Sequence, residues 1–297
     1  MNMNQQKIED TYSRRAIRQH VLADVDQESP VFIKCMESVN QYLKGSYYAS
    51  KQKRVEEICQ GTVSVQDIVL EIFIAVLPIQ EISPIQSVST QIGNRIGIRR
   101  LLDGVKTSSE LLAVCEKSGL FTIYHSADEV NKTGTLGIMA HYHLDKEVQD
   151  FIQKTMYLPP MISEPVEWTD NSTGGHLNGS GSVILGSLNH HQGEQSLDAI
   201  NLVQSIPWEL NERMLSIEET PNKPENMDTA QKREQFTMMK RQSRVVYENM
   251  VELGNKFYLV WKNDKRGRMN SQGYHIDLQS TSYKKSIIQF ANKEILS

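Results

Sequence analysis

The sequence predicts an α+β fold that is mainly α-helical. Apolar residues recur at spacings of three and four along much of the chain, which is the period of a helix with one buried face. Residues 257–261 are instead β-branched and aromatic, as expected for a short buried strand. The length of 297 residues is enough for one large or two modest domains with a sizeable core.

The first half of the chain predicts four helical segments. They cover residues 8–25, 30–58, 68–77 and a stretch that begins at Pro84. Ser29-Pro30 divides the first two, because proline is favoured at a helix start. Asp67 is a candidate cap for the third segment, whose apolar run points inward. The mixed polar and apolar order of residues 103–160 predicts no particular element.

The second half predicts an extended arm, two helices, a basic turn and a second apolar run. They lie at residues 160–181, 196–215, 229–257, 264–268 and 286–290. Prolines stiffen the arm, which leads into a glycine-rich loop. Ser196 is a candidate cap for the first of these helices, and Pro207 is expected to kink it. Residues 217–228 form a polar linker.

Charge and cysteine content limit the class of protein. The net charge is −4, so any nucleic-acid site must be a local basic patch. Cys35, Cys59 and Cys115 are odd in number and widely spaced, which suits a reducing cytoplasm and forms neither a disulfide framework nor a zinc knuckle. The N-terminus lacks the apolar core of a signal peptide, and the apolar run 68–77 is too short to span a bilayer. We therefore expect a soluble cytoplasmic protein without a membrane partner.

The basic turn is Asp264-Lys265-Arg266-Gly267-Arg268. Glycine allows a tight turn and close approach of a ligand to the backbone, and two guanidiniums suit a phosphate chain. Clusters of this kind are also common on ordinary solvated surfaces. From these residues alone, both interpretations remain open.

Two other groups of polar residues are candidates for function. Lys240, Arg241 and Arg244 lie along the polar side of the predicted helix 229–257, which favours either a solvated face or a nucleic-acid contact. His141 and His143 could share a strand face, but two imidazoles do not make a zinc site. The pair His190-His191 is expected on the surface. The sequence predicts no metal site.

Several motifs resemble the single-subunit RNA polymerases of phages and mitochondria. The turn completes the DxxGR motif of that family with Asp264, Gly267 and Arg268. Residues 199–211 follow its A-I-N-x-x-Q-x-x-x-W-x-x-N order, and residues 250–257 follow M-x-E-x-x-N-K-F. The arm from Pro160 resembles the P-M-x-x-x-P-x-x-W-T…G-G segment. These matches occur in the order of the family.

The resemblance implies the N-terminal domain, thumb and start of the palm of a right-hand polymerase fold. The implied domains are residues 1–205, a mainly helical N-terminal domain, residues 206–254, the thumb helices, and residues 255–297, the start of the palm with its DxxGR motif. It also implies a nucleic-acid-binding surface that touches the template and the RNA–DNA hybrid. Its residues would be Asp264, Arg266, Gly267, Arg268, Lys285, Lys240, Arg241 and Arg244.

Each residue type has an implied role on that surface. Arg266 and Arg268 would hold phosphates without reading bases. Asp264, with cations on both sides, would orient an arginine. Lys285 would face the hybrid or the incoming nucleotide, and the thumb cations would follow the product hybrid in a salt-sensitive way.

The resemblance also implies what this chain lacks. Nucleotidyl transfer uses two Mg²⁺ ions held by carboxylates, which in this family lie downstream of DxxGR, so no catalytic residue is expected here. The sequence ends at Ser297. It resembles the smaller, N-terminal subunit of a heterodimeric phage RNA polymerase, whose second subunit carries the palm aspartates and the Mg²⁺. The implied partners are that subunit, a DNA template, the RNA product and ribonucleoside triphosphates, in the cytoplasm of a bacterial host.

Two alternatives belong to other classes of protein. One is a non-catalytic nucleic-acid-binding regulatory protein derived from a polymerase. The other is a structural helical adaptor. A co-purifying partner with palm aspartates distinguishes the polymerase subunit from both.

Overall fold

A computed structural model describes residues 2–128, 133–179, 181–186 and 193–293. These residues form twelve α-helices and seven short strands, so the protein is a mixed α+β protein that is mainly helical, as predicted. The helices are α1 Asn2–Thr11, α2 Arg14–Asp24, α3 Pro30–Leu43, α4 Ala49–Gln60, α5 Val65–Val76, α6 Ile85–Gly93, α7 Leu101–Cys115, α8 Lys146–Thr155, α9 Leu197–Gln204, α10 Glu212–Leu215, α11 Ala230–Glu252 and α12 Ser282–Ser286.

The strands form three small antiparallel sheets. They are β1 Ser83–Pro84, β2 Phe121–Asp128, β3 Thr133–Ala140, β4 Trp208–Leu210, β5 Val260–Asn263, β6 Met269–Gln272 and β7 Ile288–Phe290. The first sheet has the order β1-β3-β2, and β4 pairs with β7 and β5 with β6 in the other two. The β2–β3 hairpin lies in the stretch 103–160, for which the sequence predicted no element.

The chain divides into two compact units. One consists of residues 17–153, and the other combines the described parts of 1–16 and 154–297. The predicted domains 1–205, 206–254 and 255–297 follow the polymerase family and stay a prediction.

The unit of residues 17–153 is built around α3, α5, α6 and α7. Its core includes Val39, Ile68, Ile72, Leu111 and Leu112, none of them more than 1% exposed. The backbones of α6 and α7 are in direct contact where Gly93 faces Gly104. A Cβ atom added to Gly104 would lie only 2.6 Å from the carbonyl oxygen of Gly93. Only glycine permits so close a crossing.

Several predicted helices are shorter than the sequence pattern suggested. The segment 8–25 breaks into α1 and α2 because the Ser13 hydroxyl accepts a hydrogen bond from the Ala16 amide at 3.1 Å and starts a new helix. The segment 30–58 breaks between Leu43 and Ala49. Helix α5 is capped by Ser64 and not by Asp67, because Ser64 is the N-cap residue and Asp67 the third helical residue of a capping box.

Two helices of the second half also end early. The segment 196–215 is wrong as one helix: α9 stops at Gln204, before Pro207, and the chain continues as β4. Helix α11 stops at Glu252 instead of Phe257. Gly254 has a φ of 103°, and the amide of Asn255 bonds the carbonyl of Met250 at 3.0 Å, which is a Schellman end.

The structure also shifts the predicted strand 257–261. Strand β5 begins at Val260, whereas Phe257 and Tyr258 make single bridges to Trp208 and Met161. The stretch is buried as predicted, with Phe257 and Val260 at most 1% exposed.

Among the described residues, no single helix is long and apolar enough to cross a bilayer. Only α4 and α5 together reach the required length and composition, as a pair bent by 105°.

Candidate nucleic-acid interface

The basic turn 264–268 joins β5 to β6. These strands pair in register from Val260 opposite Gln272 to Asn263 opposite Met269, so the turn is held at the end of a regular hairpin. The amide of Asp264 bonds the carbonyl of Arg268 at 2.8 Å and closes the loop. Hairpin loops of this length place glycine in a left-handed conformation, and Gly267 has a φ of 78°.

The Asp264 carboxylate organises the turn. Its Oδ1 atom accepts hydrogen bonds from the amides of Arg266 at 2.8 Å and Arg268 at 3.0 Å. Its Oδ2 atom accepts from Nε and Nη2 of Arg268, both at 2.8 Å. Hydrogen bonds from Arg268 to the carboxylate lower the pKa of Asp264 to about 2. The carboxylate is therefore ionised at neutral pH and holds one arginine in a fixed orientation.

The arginines of the turn are nevertheless open to solvent. The side chain of Arg266 is 75% exposed and that of Arg268 is 64% exposed. Arg266 approaches Asp264 only to 3.8 Å, and Lys265 is exposed as well. Three cations therefore face one carboxylate, and the turn presents excess positive charge on a fixed backbone. Such an arrangement favours binding of an anion.

The predicted arm, residues 160–181, and the residues directly after it support the base of this hairpin. The amide of Met161 bonds the carbonyl of Tyr258 at 3.0 Å, and the amide of Asn263 bonds the carbonyl of Val183 at 2.8 Å. Within the arm, Trp168 is 3% exposed and packs against a pair of glycines. The arm thus fixes β5, the strand that leads into the turn.

Amide side chains tie the arm to the helical motif. The Asn201 side chain accepts from the amide of Trp168 at 2.8 Å and donates to its carbonyl at 3.0 Å. Gln204 donates to the carbonyl of Val166 at 3.0 Å. Asn255 makes the same two-bond contact with the backbone of Leu210. The motif residues matched in the sequence therefore act as tethers, a role that their spacing did not predict.

The cations of α11 lie on a groove that also contains carboxylates. Lys240, Arg241 and Arg244 line a groove of about 680 Å³ between α11 and the segment 215–219. Glu218, Glu219 and Glu248 line the same groove, so three formal positive charges meet three negative ones. This balance reduces the attraction of the groove for phosphate.

Two of the three α11 cations that line the groove are paired inside the protein. The Lys240 ammonium lies 2.5 Å from the Glu218 carboxylate. The Arg244 guanidinium binds Glu248 at 3.1 Å and the carbonyl of Leu215 at 2.5 Å. The side chain of Arg241 is exposed and has no ion pair or hydrogen bond with any described residue. It is therefore the α11 cation best placed for an external anion.

The lysine pair of α12 is divided between core and surface. Lys284 is 5% exposed, and its ammonium donates to the carbonyl of Tyr274 at 2.7 Å. Burial lowers the pKa of Lys284. Lys285, the residue predicted to face the hybrid, is exposed. Only Lys285 is therefore accessible to a phosphate.

A buried histidine lies beneath α11 and gives a test of this packing. His275 is 6% exposed, its Nδ1 atom lies 2.9 Å from the Ser243 hydroxyl, and its carbonyl accepts from the Tyr247 hydroxyl at 3.1 Å. Burial, and secondarily the charge of Lys284, lowers the pKa of His275 from 6.5 to about 4.

We expect the pKa of His275 to make the free energy of unfolding fall with acid. Between pH 6.5 and 4 this histidine is protonated in the unfolded chain and neutral in the folded chain, so its contribution to the free energy of unfolding falls as pH drops and levels off below pH 4; that loss is about 3 kcal/mol. Urea unfolding at several pH values measures it. His275→Gln should reduce the fall in the free energy of unfolding between pH 6.5 and 4. The exposed control His141→Gln should not. An unchanged profile in His275→Gln would contradict the prediction.

The other histidine candidates differ in whether the structure describes them. His141 is exposed, and its ring bonds the Thr122 hydroxyl at 2.7 Å and the Gly119 carbonyl at 3.0 Å. The pair His190-His191 lies outside the described residues. Within the described part of the chain, no group of three histidine, cysteine or acidic residues could hold a metal ion.

No protein-family model matches the sequence, and no curated protein matches it at a significant level. The resemblance to RNA polymerases therefore depends on the motif residues described above.

Proposed function

We propose that this chain is a subunit of a DNA-directed RNA polymerase that binds the template and the RNA–DNA hybrid. A second chain supplies the catalytic palm and fingers, and this chain provides the N-terminal domain, thumb and palm entrance. The observation that carries the proposal is the turn 264–268, in which Asp264 fixes a backbone that exposes Arg266 and Arg268.

The donors left free by the turn support phosphate binding. A guanidinium carries five N–H donors, and Arg268 directs two of its nitrogens to Asp264. Arg266 has no hydrogen bond from its guanidinium to a described residue. A phosphodiester between the two arginines would receive charge-assisted hydrogen bonds from both. These contacts set the register of the strand and leave the bases unread.

The chemistry itself belongs to the partner in this proposal. Two Mg²⁺ ions held by its aspartates would activate the attacking hydroxyl and stabilise the leaving pyrophosphate of a ribonucleoside triphosphate. The residues of the present chain would place the template and the growing RNA against that centre. Correct placement of reacting groups can supply a large share of a rate enhancement.

The cations of the proposed surface differ in how strongly they are expected to bind phosphate. Arg266, Arg268, Arg241 and Lys285 are exposed and carry the phosphate contacts, whereas Lys240 and Arg244 are first neutralised by glutamates of their own groove. Binding should weaken as salt concentration rises, because each phosphate contact releases counterions.

Co-purification tests the proposal. The tagged chain is expressed together with a polypeptide that carries the palm aspartates, and RNA synthesis on a single-stranded template is measured for each chain and for the mixture. We expect the two chains to elute together and only the mixture to make RNA. A palm aspartate→Asn variant of the partner is the control, and it should assemble without activity.

The other outcomes identify the alternatives. Nucleic-acid binding by the chain with no such partner would indicate a regulatory protein. A chain that neither binds nucleic acid nor recruits a palm-bearing partner would be an adaptor, and the proposal would be wrong.

A further inference from the structure

A second group of arginines lies in the other unit, on the loop between α6 and α7. This loop, residues 94–100, alternates in burial: Ile96 and Ile98 are 0% and 8% exposed, whereas Arg95, Arg99 and Arg100 are exposed. The isoleucines anchor the loop in the apolar core of residues 17–153. The arginines consequently all project from an anchored segment.

The backbone of this loop is fixed at two further points. The amide of Arg99 donates to Oε1 of Glu57 at 3.0 Å, so that carboxylate binds the backbone. The amide of Arg95 donates to the carbonyl of Ile92 at 2.8 Å. A fixed loop loses little conformational freedom when it binds a ligand.

The guanidiniums of the loop are only weakly neutralised. Arg100 is 73% exposed and lies 3.9 Å from Asp103, and Arg95 is 50% exposed and lies 3.8 Å from Glu71. Both distances exceed hydrogen-bond length. Glu71, the carboxylate closest to Arg95, already forms an ion pair with Arg18. The guanidinium of Arg99 has no hydrogen bond or ion pair with any described residue.

We propose that the loop 94–100 binds the phosphodiester backbone of a nucleic-acid strand. From Arg95 to Arg100 the chain can span at most about 18 Å. Successive phosphates of one strand advance by about 3.4 Å along a duplex, so three guanidiniums within this span can meet several phosphates. A short linear array of planar, fork-shaped donors suits a repeating anion. The contact is independent of the base sequence.

Charge-neutralising variants of the full chain test this inference. Arg99→Gln/Arg100→Gln removes two guanidiniums, and Arg14→Gln/Arg15→Gln removes the same charge from two exposed arginines of α2. Binding of a fluorescent oligothymidine is measured across a range of salt concentrations.

The logarithm of the binding constant falls linearly with the logarithm of the salt concentration, and each phosphate contact with a single strand contributes about 0.7 to the steepness of that slope. Loss of two contacts in the loop variant should therefore make the slope less steep by about 1.4. Its loss of affinity relative to the unaltered chain should therefore be about sevenfold greater at about 50 mM salt than at about 200 mM. The α2 control should keep the slope. Thermal melting should be unchanged in both, because every substituted side chain is exposed.

The variant Arg266→Gln/Arg268→Gln separates this inference from the proposed function. A lower slope in the loop variant supports the inference whether or not the turn variant loses affinity. A loop variant that behaves like the α2 control, while the turn variant loses affinity, overturns the inference and leaves the proposed function standing. Unchanged oligothymidine binding with lost sedimentation on anionic lipid vesicles would also overturn it, in favour of a membrane surface.

Discussion

Under the proposed function, replacing Arg268 by alanine should lower RNA synthesis by the complex of this chain with its palm-bearing partner about ten- to a hundredfold. The substitution removes a side chain whose guanidinium is 64% exposed and oriented by Asp264, and charge-assisted hydrogen bonds contribute about 1.5–3 kcal/mol. Assembly should be unaffected, because no apolar contact is lost at this exposed position. Elongation rates on a primed template, with sizing chromatography of the complex, measure the two effects separately.

Two further variants make the prediction for Arg268 specific. Arg268→Lys keeps the charge but loses the two-nitrogen contact with Asp264, so its activity should lie between those of the native chain and the alanine variant. Arg213→Ala removes an exposed arginine of α10 and should leave elongation unchanged. Normal elongation by Arg268→Ala would contradict the proposed contact between the turn 264–268 and the RNA–DNA hybrid.

Replacing Gly174 by alanine should give a large loss of stability. Gly174 has a φ of 155°, and a Cβ atom there would lie 2.6 Å from Cδ2 and 2.7 Å from Cα of Trp168. The Trp168 backbone cannot move aside as a flexible side chain does. The strain of an alanine at this φ therefore adds to the cost of the steric overlap with Trp168. We expect the free energy of unfolding to fall by roughly 2–5 kcal/mol. Because Trp168, Trp208 and Trp261 all lie in one unit, tryptophan fluorescence during urea unfolding reports on it.

Gly254→Ala is the matched control. Gly254 lies in the same unit and also has a positive φ, 103°, but nothing lies within 4 Å of its would-be Cβ. The free energy of unfolding of Gly254→Ala should therefore fall only by the cost of placing an alanine in this backbone conformation, about 1–2 kcal/mol. Equal losses in the two variants would mean that the contact with Trp168 contributes nothing.

The elements predicted best are those whose causes are local. Helix α3 begins at Pro30 after its Ser29 cap, as the residues indicate. The helix predicted through Pro207 was wrong because β4 instead pairs with β7, residues 288–290, which lie far away in sequence. Tertiary pairing of this kind overrides a helical spacing of apolar residues. The β2–β3 hairpin likewise has no local signal that distinguishes it within residues 103–160.

The candidate site was predictable to the same extent. The turn 264–268 was identified in full, since a complete five-residue motif specifies it. The division of Lys284 and Lys285 between core and surface was not, because it depends on the Tyr274 carbonyl that receives the buried ammonium. The glutamates facing the α11 cations were also missed, since Glu218 lies in a segment more than twenty residues before Lys240.

The sequence by itself determined the mainly helical class and the basic turn, because helix caps and an Asp264 to Arg268 contact act between neighbours four residues apart or fewer. Only the tertiary structure decided which cations remain exposed. Whether a lysine or arginine is neutralised or buried depends on carboxylates and carbonyls brought close by folding, and electrostatic attraction acts through that distance in space.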